Sequence, residues 1–164
     1  MVKRCVFKNE YPTDFMKWFL GECRKRGKAK EQDQGYLNKL LNRAFRYATD
    51  AVYCDYYSDA ALAKANEMEV DLTIARWANR DAIKEDGKKV FHLDHCNPVT
   101  KLAARVLETD ESIDDIIKDN NMTAWILNSE NKKLDKQYKS DRPNGWEKCY
   151  AEYGIICKHR DDVK

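Results

Sequence analysis

The stretch KKVFHLDHCNP at residues 88–98 says most about the fold of this chain. It follows the turn-forming pair Asp86–Gly87 and is β-branched and aromatic at its centre, which predicts a strand that ends at Asp94–His95. Pro98 has no backbone N–H to donate, so strand pairing is expected to stop before it. The pattern of the chain therefore changes near residue 87 from helical to extended.

The chain before this strand, residues 1–86, has the periodicity of helices. Apolar residues recur there at the three- and four-residue spacing of a single buried helix face. The expected helices begin at the cap residue Thr13 or Asp14, follow the apolar stripe from Tyr36 to Ala48, cover Asp59–Met68 behind the cap Ser58, and cover Leu72–Glu85. The first helix is expected to bury Phe15, Trp18, Phe19 and Cys23.

The chain after this strand alternates between helices and one further strand. Residues 100–119 are helical in composition, Thr123–Leu127 is a strand candidate, and a helix capped by Asn128 or Ser129 is expected to run to about Lys139. Trp146–Tyr153 is expected to form a last short helix. The pattern predicts an α+β fold in one compact domain. Its parts are a helical N-terminal region (1–86), a core of two strands and a helix with a helical insertion between the strands (87–142), and a C-terminal helix and tail (143–164).

Size and composition are those of a folded protein that needs neither disulfides nor structural zinc. The chain has 164 residues, of which 43% are hydrophobic, enough for an ordinary core. Its six cysteines include no Cys-x-x-Cys pair, so we expect reduced, mostly buried thiols and no zinc finger. The absence of a long apolar run and of a signal peptide leads us to expect a cytoplasmic protein with no membrane partner.

The positive charges are clustered, although the net charge is only +2. One basic run covers residues 24–30 and a second covers residues 132–142. Contacts to phosphate depend on a local patch rather than on the total charge, so either run can bind nucleic acid. Solvated helix faces would produce the same pattern, and charge alone does not separate the two interpretations.

Asp94 and His95 bring a carboxylate and an imidazole together at the end of the predicted strand. Hydrolysis of a phosphodiester needs a base to activate water and a cation to neutralise charge on the phosphate. Histidine has a suitable pKa for the base, and Mg²⁺ binds through a small number of carboxylate and amide oxygens. Asn131, in the first turn of the following helix, can reach back toward the strand end.

These two segments resemble the HNH, or ββα-metal, endonuclease superfamily. FHLDHCNP at residues 91–98 is similar to the Asp-His-x-x-Pro opening of the motif, and WILNSENKKL at residues 125–134 is similar to its closing strand and helix. The resemblance covers about Val90–Lys139. It implies a ββα-metal core in which Asp94 and Asn131 bind Mg²⁺ or Mn²⁺ and His95 is the general base. It implies no structural zinc, because the cysteine pairs of many relatives are missing.

Three further residues are candidates for supporting the site. His92 is two residues before Asp94, so both side chains are expected on the same face of the strand. His92 is therefore either a supporting ligand or a packed strand histidine. Asn121 lies nearest to the middle asparagine of the motif, which braces the histidine loop in relatives, with Asn120 and Thr123 as alternatives. Asn128 is either a supporting residue or a helix cap. Candidate nucleic-acid contacts are Lys132, Lys133, Lys136, Lys139 and Arg142, together with Arg43, Arg46, Arg76 and Arg80, the last two of which are placed on the predicted helix before the strand.

The sequence therefore predicts a metal-dependent endonuclease that hydrolyses DNA. Three other interpretations stay open: an RNA-cleaving nuclease on the same core, a nucleic-acid-binding protein without catalysis, and a structural helical protein. The oligomeric state is also open. Cleavage of both strands of a duplex would favour a two-fold dimer, whereas the sequence has no coiled-coil pattern.

Overall fold

The computed structural model describes residues 13–30, 33–50, 53–76, 83–139 and 141–163. The helices in these ranges are α1 (Thr13–Lys28), α2 (Gln34–Asp50), α3 (Asp59–Glu67), α4 (Val99–Glu108), α5 (Ile113–Asn121), α6 (Asn128–Tyr138) and α7 (Trp146–Ala151). The strands are β1 (Tyr56–Ser58), β2 (Lys84–Glu85), β3 (Lys88–Lys89), β4 (Phe91–His95), β5 (Thr123–Leu127) and β6 (Cys157–His159), and a 3₁₀ turn follows at Arg160–Asp162. The protein is α+β, as the sequence predicts.

Four strands form a mixed sheet in the order β4–β5–β1–β6. β4 pairs antiparallel with β5 and places His95 opposite Thr123. β1 runs parallel to β5, and β6 runs antiparallel to β1. β1 lies within residues 1–86, so the prediction that this region is wholly helical is wrong, and the sequence did not indicate β6. Both strands are only three residues long, too short to show an alternating pattern.

β5 is buried along almost its whole length because both faces of the sheet are covered. On one face Trp125 packs in a cluster with Tyr57 and Phe91. On the other face Ala124 and Ile126 pack in a second cluster with Leu134 of α6 and Tyr150 of α7. Successive side chains of a strand point to opposite faces, so a strand covered on both sides is apolar throughout.

The helical insertion between β4 and β5 is the surface on which the N-terminal helices pack. α4 presents Leu102, Ala103, Val106 and Leu107 on one face, and all four are buried. They form one cluster with buried residues of α1, α2 and α5, among them Leu20, Leu41, Phe45 and Ile116. We call this group of four helices the helical cluster. It lies beside β4 and supplies one wall of the site.

The buried face of α1 agrees with the predicted one only in part, since Cys23 is buried and Phe19 is half-buried against the helical cluster. Phe15 and Trp18 are 64% and 62% exposed, whereas Met16, Leu20 and Cys23 are buried. The spacing of these three residues, i, i+4 and i+7, makes a narrow stripe that faces the helical cluster. Phe15 instead contacts neighbouring rings of α1, with its centroid 5.9 Å from that of Trp18.

The predicted helix Leu72–Glu85 is wrong where the structure describes it. Residues 72–76 form turns and irregular chain, and residues 77–82, with Arg80, lie outside the described ranges. β2 pairs antiparallel with β3, and Asp86 and Gly87 between them have φ values of 49° and 72°. Two successive positive φ values are those of a tight hairpin turn, for which Asp-Gly is a favoured pair. The strand expected from Lys88 is therefore two strands, interrupted at Val90.

The five cysteines within the described ranges are free, and four of them are buried. Cys5 lies outside those ranges. In the described part of the chain, no helix combines the length and the apolar character needed to cross a membrane.

Candidate active site

A cavity of about 270 Å³ lies between the helical cluster, β4 and α6. The three residues singled out by the HNH resemblance, Asp94, His95 and Asn131, all line it. The remaining lining comes from Arg46 and Thr49 of α2, His92 and Leu93 of β4, residues 98–100 at the start of α4, Asp135 of α6, and Lys139 and Arg142 after α6. The fold thus brings together side chains from both ends of the segment that resembles the HNH motif, Val90–Lys139, and from α2, which lies outside that segment.

The first turn of α6 is tied to the strands on both sides. The backbone N–H of Asn128 donates to the carbonyl of Val90 at 2.7 Å, so the start of the helix is held against β4. Glu130 accepts from the backbone N–H of Leu127 and from the hydroxyl of Ser58, each at 2.7 Å. Asn128 is the first residue of the helix and Leu127 stands at the N-cap position, so neither Asn128 nor Ser129 is the cap. These contacts fix where Asn131 lies.

His95 is held by a residue of α2. Its Nε2 lies 2.9 Å from the hydroxyl of Thr49, and that hydroxyl lies 2.9 Å from the carbonyl of Arg46. A hydroxyl that donates to the carbonyl accepts from the ring, which places the imidazole proton on Nε2 and leaves Nδ1 as the basic atom. Burial lowers the pKa of His95 to about 4, although nearby Asp94 opposes the shift. The imidazole is therefore neutral at pH 7 and able to accept a proton.

Asp94 lies in a largely buried ion pair. Its Oδ2 accepts from the guanidinium of Arg142 at 2.8 Å and from the hydroxyl of Tyr150 at 2.5 Å. The side chains of Arg142 and Asp94 are only 5% and 13% exposed. Burial raises the pKa of Tyr150 well above its usual range, so this phenol is a neutral donor. Arg142 was predicted as a contact for nucleic acid, and its guanidinium lies at the cavity, paired with the candidate ligand Asp94.

The sequence did not indicate Tyr150 as a residue of the site. It belongs to α7, beyond the segment that resembles the HNH motif, and its spacing on that helix indicates only a core residue. Only the packing of α7 against β5 and α6 brings its hydroxyl to Asp94.

Asn131 is 8% exposed and donates its amide N–H to Asp135 at 3.1 Å. This leaves the amide oxygen as its remaining polar atom. His92 lines the same cavity, and burial lowers its pKa. Asp94, Asn131 and the two histidines are thus all residues that line one cavity.

The loop after His95 is braced by Asn97. The side-chain amide of Asn97 donates to the carbonyl of Asp119 at 3.2 Å, and the backbone N–H of Cys96 donates to the carbonyl of Met122 at 3.0 Å. Asn120 is buried and donates to the carbonyl of Phe45 in α2. No side-chain hydrogen bond joins Asn121, the residue nearest to the motif's middle position, to any other described residue. The bracing comes from the loop's own asparagine and from backbone groups at the end of α5.

The predicted nucleic-acid contacts separate into three groups. Arg46, Lys139 and Arg142 line the cavity, while Lys132, Lys133, Lys136 and Arg43 are exposed without lining it. Arg76 donates to the hydroxyl of Tyr53 at 2.8 Å, and its guanidinium lies 4.6 Å from the centroid of that ring. Arg76 is in irregular chain rather than in the predicted helix.

Within the described ranges, no group of three or more His, Cys, Asp or Glu side chains is placed to hold a metal ion. The cavity is lined instead by carboxylate and amide side chains from separate elements. Asp94 uses Oδ2 for Arg142 and Tyr150, and Asn131 uses its amide nitrogen for Asp135, so each of these two candidate ligands keeps one oxygen, and the Asp135 carboxylate lines the same cavity. Mg²⁺ retains several waters and often binds through one or two protein oxygens, so this sparse donor set fits that class of ion.

No protein-family model matches the chain, and neither a curated protein nor a solved structure matches it. A functional assignment therefore depends on the chemistry of the cavity itself. A neutral imidazole, a buried carboxylate with one remaining oxygen, and two cations at the same cavity suit the hydrolysis of a phosphate ester.

Proposed function

We propose that the protein is a metal-dependent endonuclease that hydrolyses DNA phosphodiester bonds at this cavity, with His95 as the general base. The observation that supports the proposal is that Asp94 and His95 of β4 and Asn131 of α6 line one cavity. Residues 91–98 and 125–134 also resemble the two ends of the HNH motif. The order of an antiparallel strand pair followed directly by a helix suits a ββα-metal core.

His95 would take a proton from the attacking water at Nδ1. Thr49 holds the opposite ring nitrogen, which orients the imidazole and selects the tautomer. The low pKa of His95 keeps the ring unprotonated at neutral pH. A bound phosphate brings negative charge next to the ring and so favours the imidazolium as it forms.

Asp94 and Asn131 would hold the metal ion through their remaining oxygens. When bound, an Mg²⁺ or Mn²⁺ ion neutralises the charge that develops on the phosphate and on the departing 3′-oxygen. Arg142 and Tyr150 keep the Asp94 carboxylate oriented, since both donate to the same oxygen. Arg46 and Lys139 line the cavity as cations that suit the non-bridging phosphate oxygens.

The test is nicking of supercoiled plasmid by the purified protein with Mg²⁺, Mn²⁺ or Ni²⁺. We expect metal-dependent nicking by the wild type, loss of nicking in His95→Ala, and full activity in the matched control His159→Ala. His159 is a β6 residue outside the cavity, in edge contact with the ring of Tyr56. Equal behaviour of the wild type and His95→Ala with all three metals would refute the proposal.

The substrate is decided in the same assay with single-stranded DNA, duplex DNA and RNA. Cleavage of RNA but not of DNA would show that the substrate at this site is RNA. Salt-dependent binding of nucleic acid without cleavage would instead indicate a binding protein that has lost catalysis.

A further inference from the structure

α2 has an outward surface that combines positive charge with exposed aromatic rings. We call it the α2 face; its residues are Tyr36, Lys39, Arg43, Arg46 and Tyr47, all of them exposed. Tyr47 is 73% exposed and Tyr36 is 50% exposed. The helix α2 contains a single acidic residue, Asp50, at its last position. The opposite side of the helix, with Leu37, Leu41 and Phe45, is buried in the helical cluster.

The cations of the α2 face are not neutralised within the described part of the chain. Lys39, Arg43 and Arg46 form no ion pair with any side chain that the structure describes, a set that does not include Asp50. In the basic run at the end of α1, two of the five cations are in ion pairs with described residues: Lys25 with Glu22, and Lys28 with Asp110. The cations of the α2 face are available for an external anion.

The α2 face continues directly from the cavity. Thr49 contacts His95, and Arg46, one turn earlier, lines the cavity with it. At about 100° per residue, Arg43 and then Tyr47 lie progressively further around the helix, away from the cavity and toward solvent. A chain of phosphates that leaves the cavity over Arg46 would meet Arg43 and the ring of Tyr47 next.

We propose that the α2 face binds single-stranded nucleic acid, with a base stacked on Tyr47 and backbone phosphates on Arg43 and Arg46. An exposed ring beside unpaired arginines provides a stacking surface together with a track for phosphates. A single strand can place an unstacked base on that ring, whereas the bases of a duplex are already stacked on each other. The part of this inference that makes the α2 face the entry path to the cavity rests on the proposed nuclease function. The part that makes it a binding site for a single strand does not.

Binding is measured by fluorescence anisotropy in EDTA, so that no cleavage occurs, with labelled oligothymidylate and oligouridylate of about 12 nucleotides. Removal of the stacking ring in Tyr47→Ala should weaken binding at least about fivefold. Tyr47→Phe keeps the ring and should bind as the wild type does. The matched control is Trp18→Ala, which removes another exposed ring, 62% exposed against 73% for Tyr47, from α1, where Lys17 pairs with Asp114.

The salt dependence separates stacking from phosphate binding. Removal of one cation that binds a phosphate should reduce the slope of log affinity against log salt by about 0.7 for a single strand. The double variant Arg43→Ala/Arg46→Ala should therefore have a slope smaller by about 1.4, and Tyr47→Ala should leave the slope unchanged. The double variant Lys25→Ala/Lys28→Ala, which removes paired cations, should match the wild type.

Two results would overturn the inference: wild-type affinity in Tyr47→Ala, or a duplex competitor that displaces the labelled strand as well as an unlabelled single strand does. Failure of the nuclease proposal looks different. Binding that depends on Tyr47, without cleavage by any metal, would support the α2 face and refute the nuclease. Metal-dependent cleavage together with binding that does not depend on Tyr47 would support the nuclease and refute the α2 face.

Discussion

His95 and Asp94 are each held by side chains from distant parts of the chain. Thr49 of α2 contacts the imidazole, and Arg142 and Tyr150 contact the carboxylate. Thr49 and Tyr150 lie outside the segment that resembles the HNH motif. A base works only when its lone pair is aimed at the proton that it removes, so residues that orient it affect rate without touching substrate. If His95 is the base, as proposed, Thr49 is in this sense a positioning residue.

The substitution Thr49→Val tests this positioning. It keeps the shape of the side chain and removes the hydroxyl that holds Nε2 of His95. We expect kcat for cleavage to fall roughly ten- to a hundredfold, because the imidazole loses its orientation and its preferred tautomer. KM should change little, since Thr49 carries no charge for the phosphate.

Thr49→Ser restores the hydroxyl and serves as the control, with kcat close to the wild type. Thermal unfolding of both variants shows whether the fold is retained. A Thr49→Val protein that is folded and fully active would show that His95 needs no hydroxyl partner.

Two helices of the core are joined at their first turns by one buried contact. Ser58 caps α3 by accepting from the backbone N–H of Ala61 at 3.0 Å, and its hydroxyl donates to Glu130 in α6. Glu130 also accepts from the backbone N–H of Leu127, so this carboxylate links α3, β5 and α6. The position of Asn131, the next residue, depends on this link.

The substitution Ser58→Ala should lower the free energy of unfolding by about 2–4 kcal/mol, because it removes a helix cap and a donor to a buried carboxylate together. The matched control is Ser112→Ala at the cap of α5. There the hydroxyl accepts only from the backbone N–H of Asp114 at an exposed position. Its expected cost is about 1 kcal/mol or less. Urea unfolding measures both, and equal costs would contradict the importance of the Glu130 contact.

At the scale of the whole molecule, the cavity lies where the helical cluster meets the sheet. α2 supplies Thr49 from one side, while β4 and α6 supply the candidate catalytic and metal-binding groups from the other. Docking of these two parts buries His95 and lowers its pKa to about 4. The same burial that keeps the imidazole neutral therefore makes the stability of the fold depend on pH.

The sign of this dependence follows from the two pKa values of His95. The unfolded chain binds the proton near its ordinary value of 6.5 and the folded chain only near 4. Protonation therefore favours the unfolded state: the stability is fully present above that range and is lost as pH falls from about 6.5 to 4. Between pH 7 and pH 5 the loss due to His95 should be about 2 kcal/mol.

Urea unfolding of the wild type and of His95→Asn at both pH values, in EDTA, isolates this contribution. Other groups that titrate, including His92, remain in both proteins and cancel in the comparison. We expect the stability of the variant to fall by about 2 kcal/mol less than that of the wild type. The same fall in both proteins would show that His95 is not buried as a neutral ring.

Local sequence patterns predicted the elements whose burial repeats over several residues. The stripe that begins at Tyr36 became α2, Thr123–Leu127 became β5, and the helix after it became α6. β1 and β6 were missed because each is three residues long and exists only through its partners in the sheet. The predicted face of α1 was wrong for Phe15 and Trp18, because hydrophobicity alone does not show which of several apolar residues the neighbouring helix will cover.

The order of residues along the chain was enough to propose Asp94, His95 and Asn131 as site residues and to predict the elements that carry them. What surrounds them came from the packing of distant elements: the hydroxyl of Thr49 on the imidazole, and Arg142 with Tyr150 on the carboxylate. The difference is one of range. Helix and strand periodicity reflect neighbours a few residues apart, whereas these contacts depend on strand register and on helix docking.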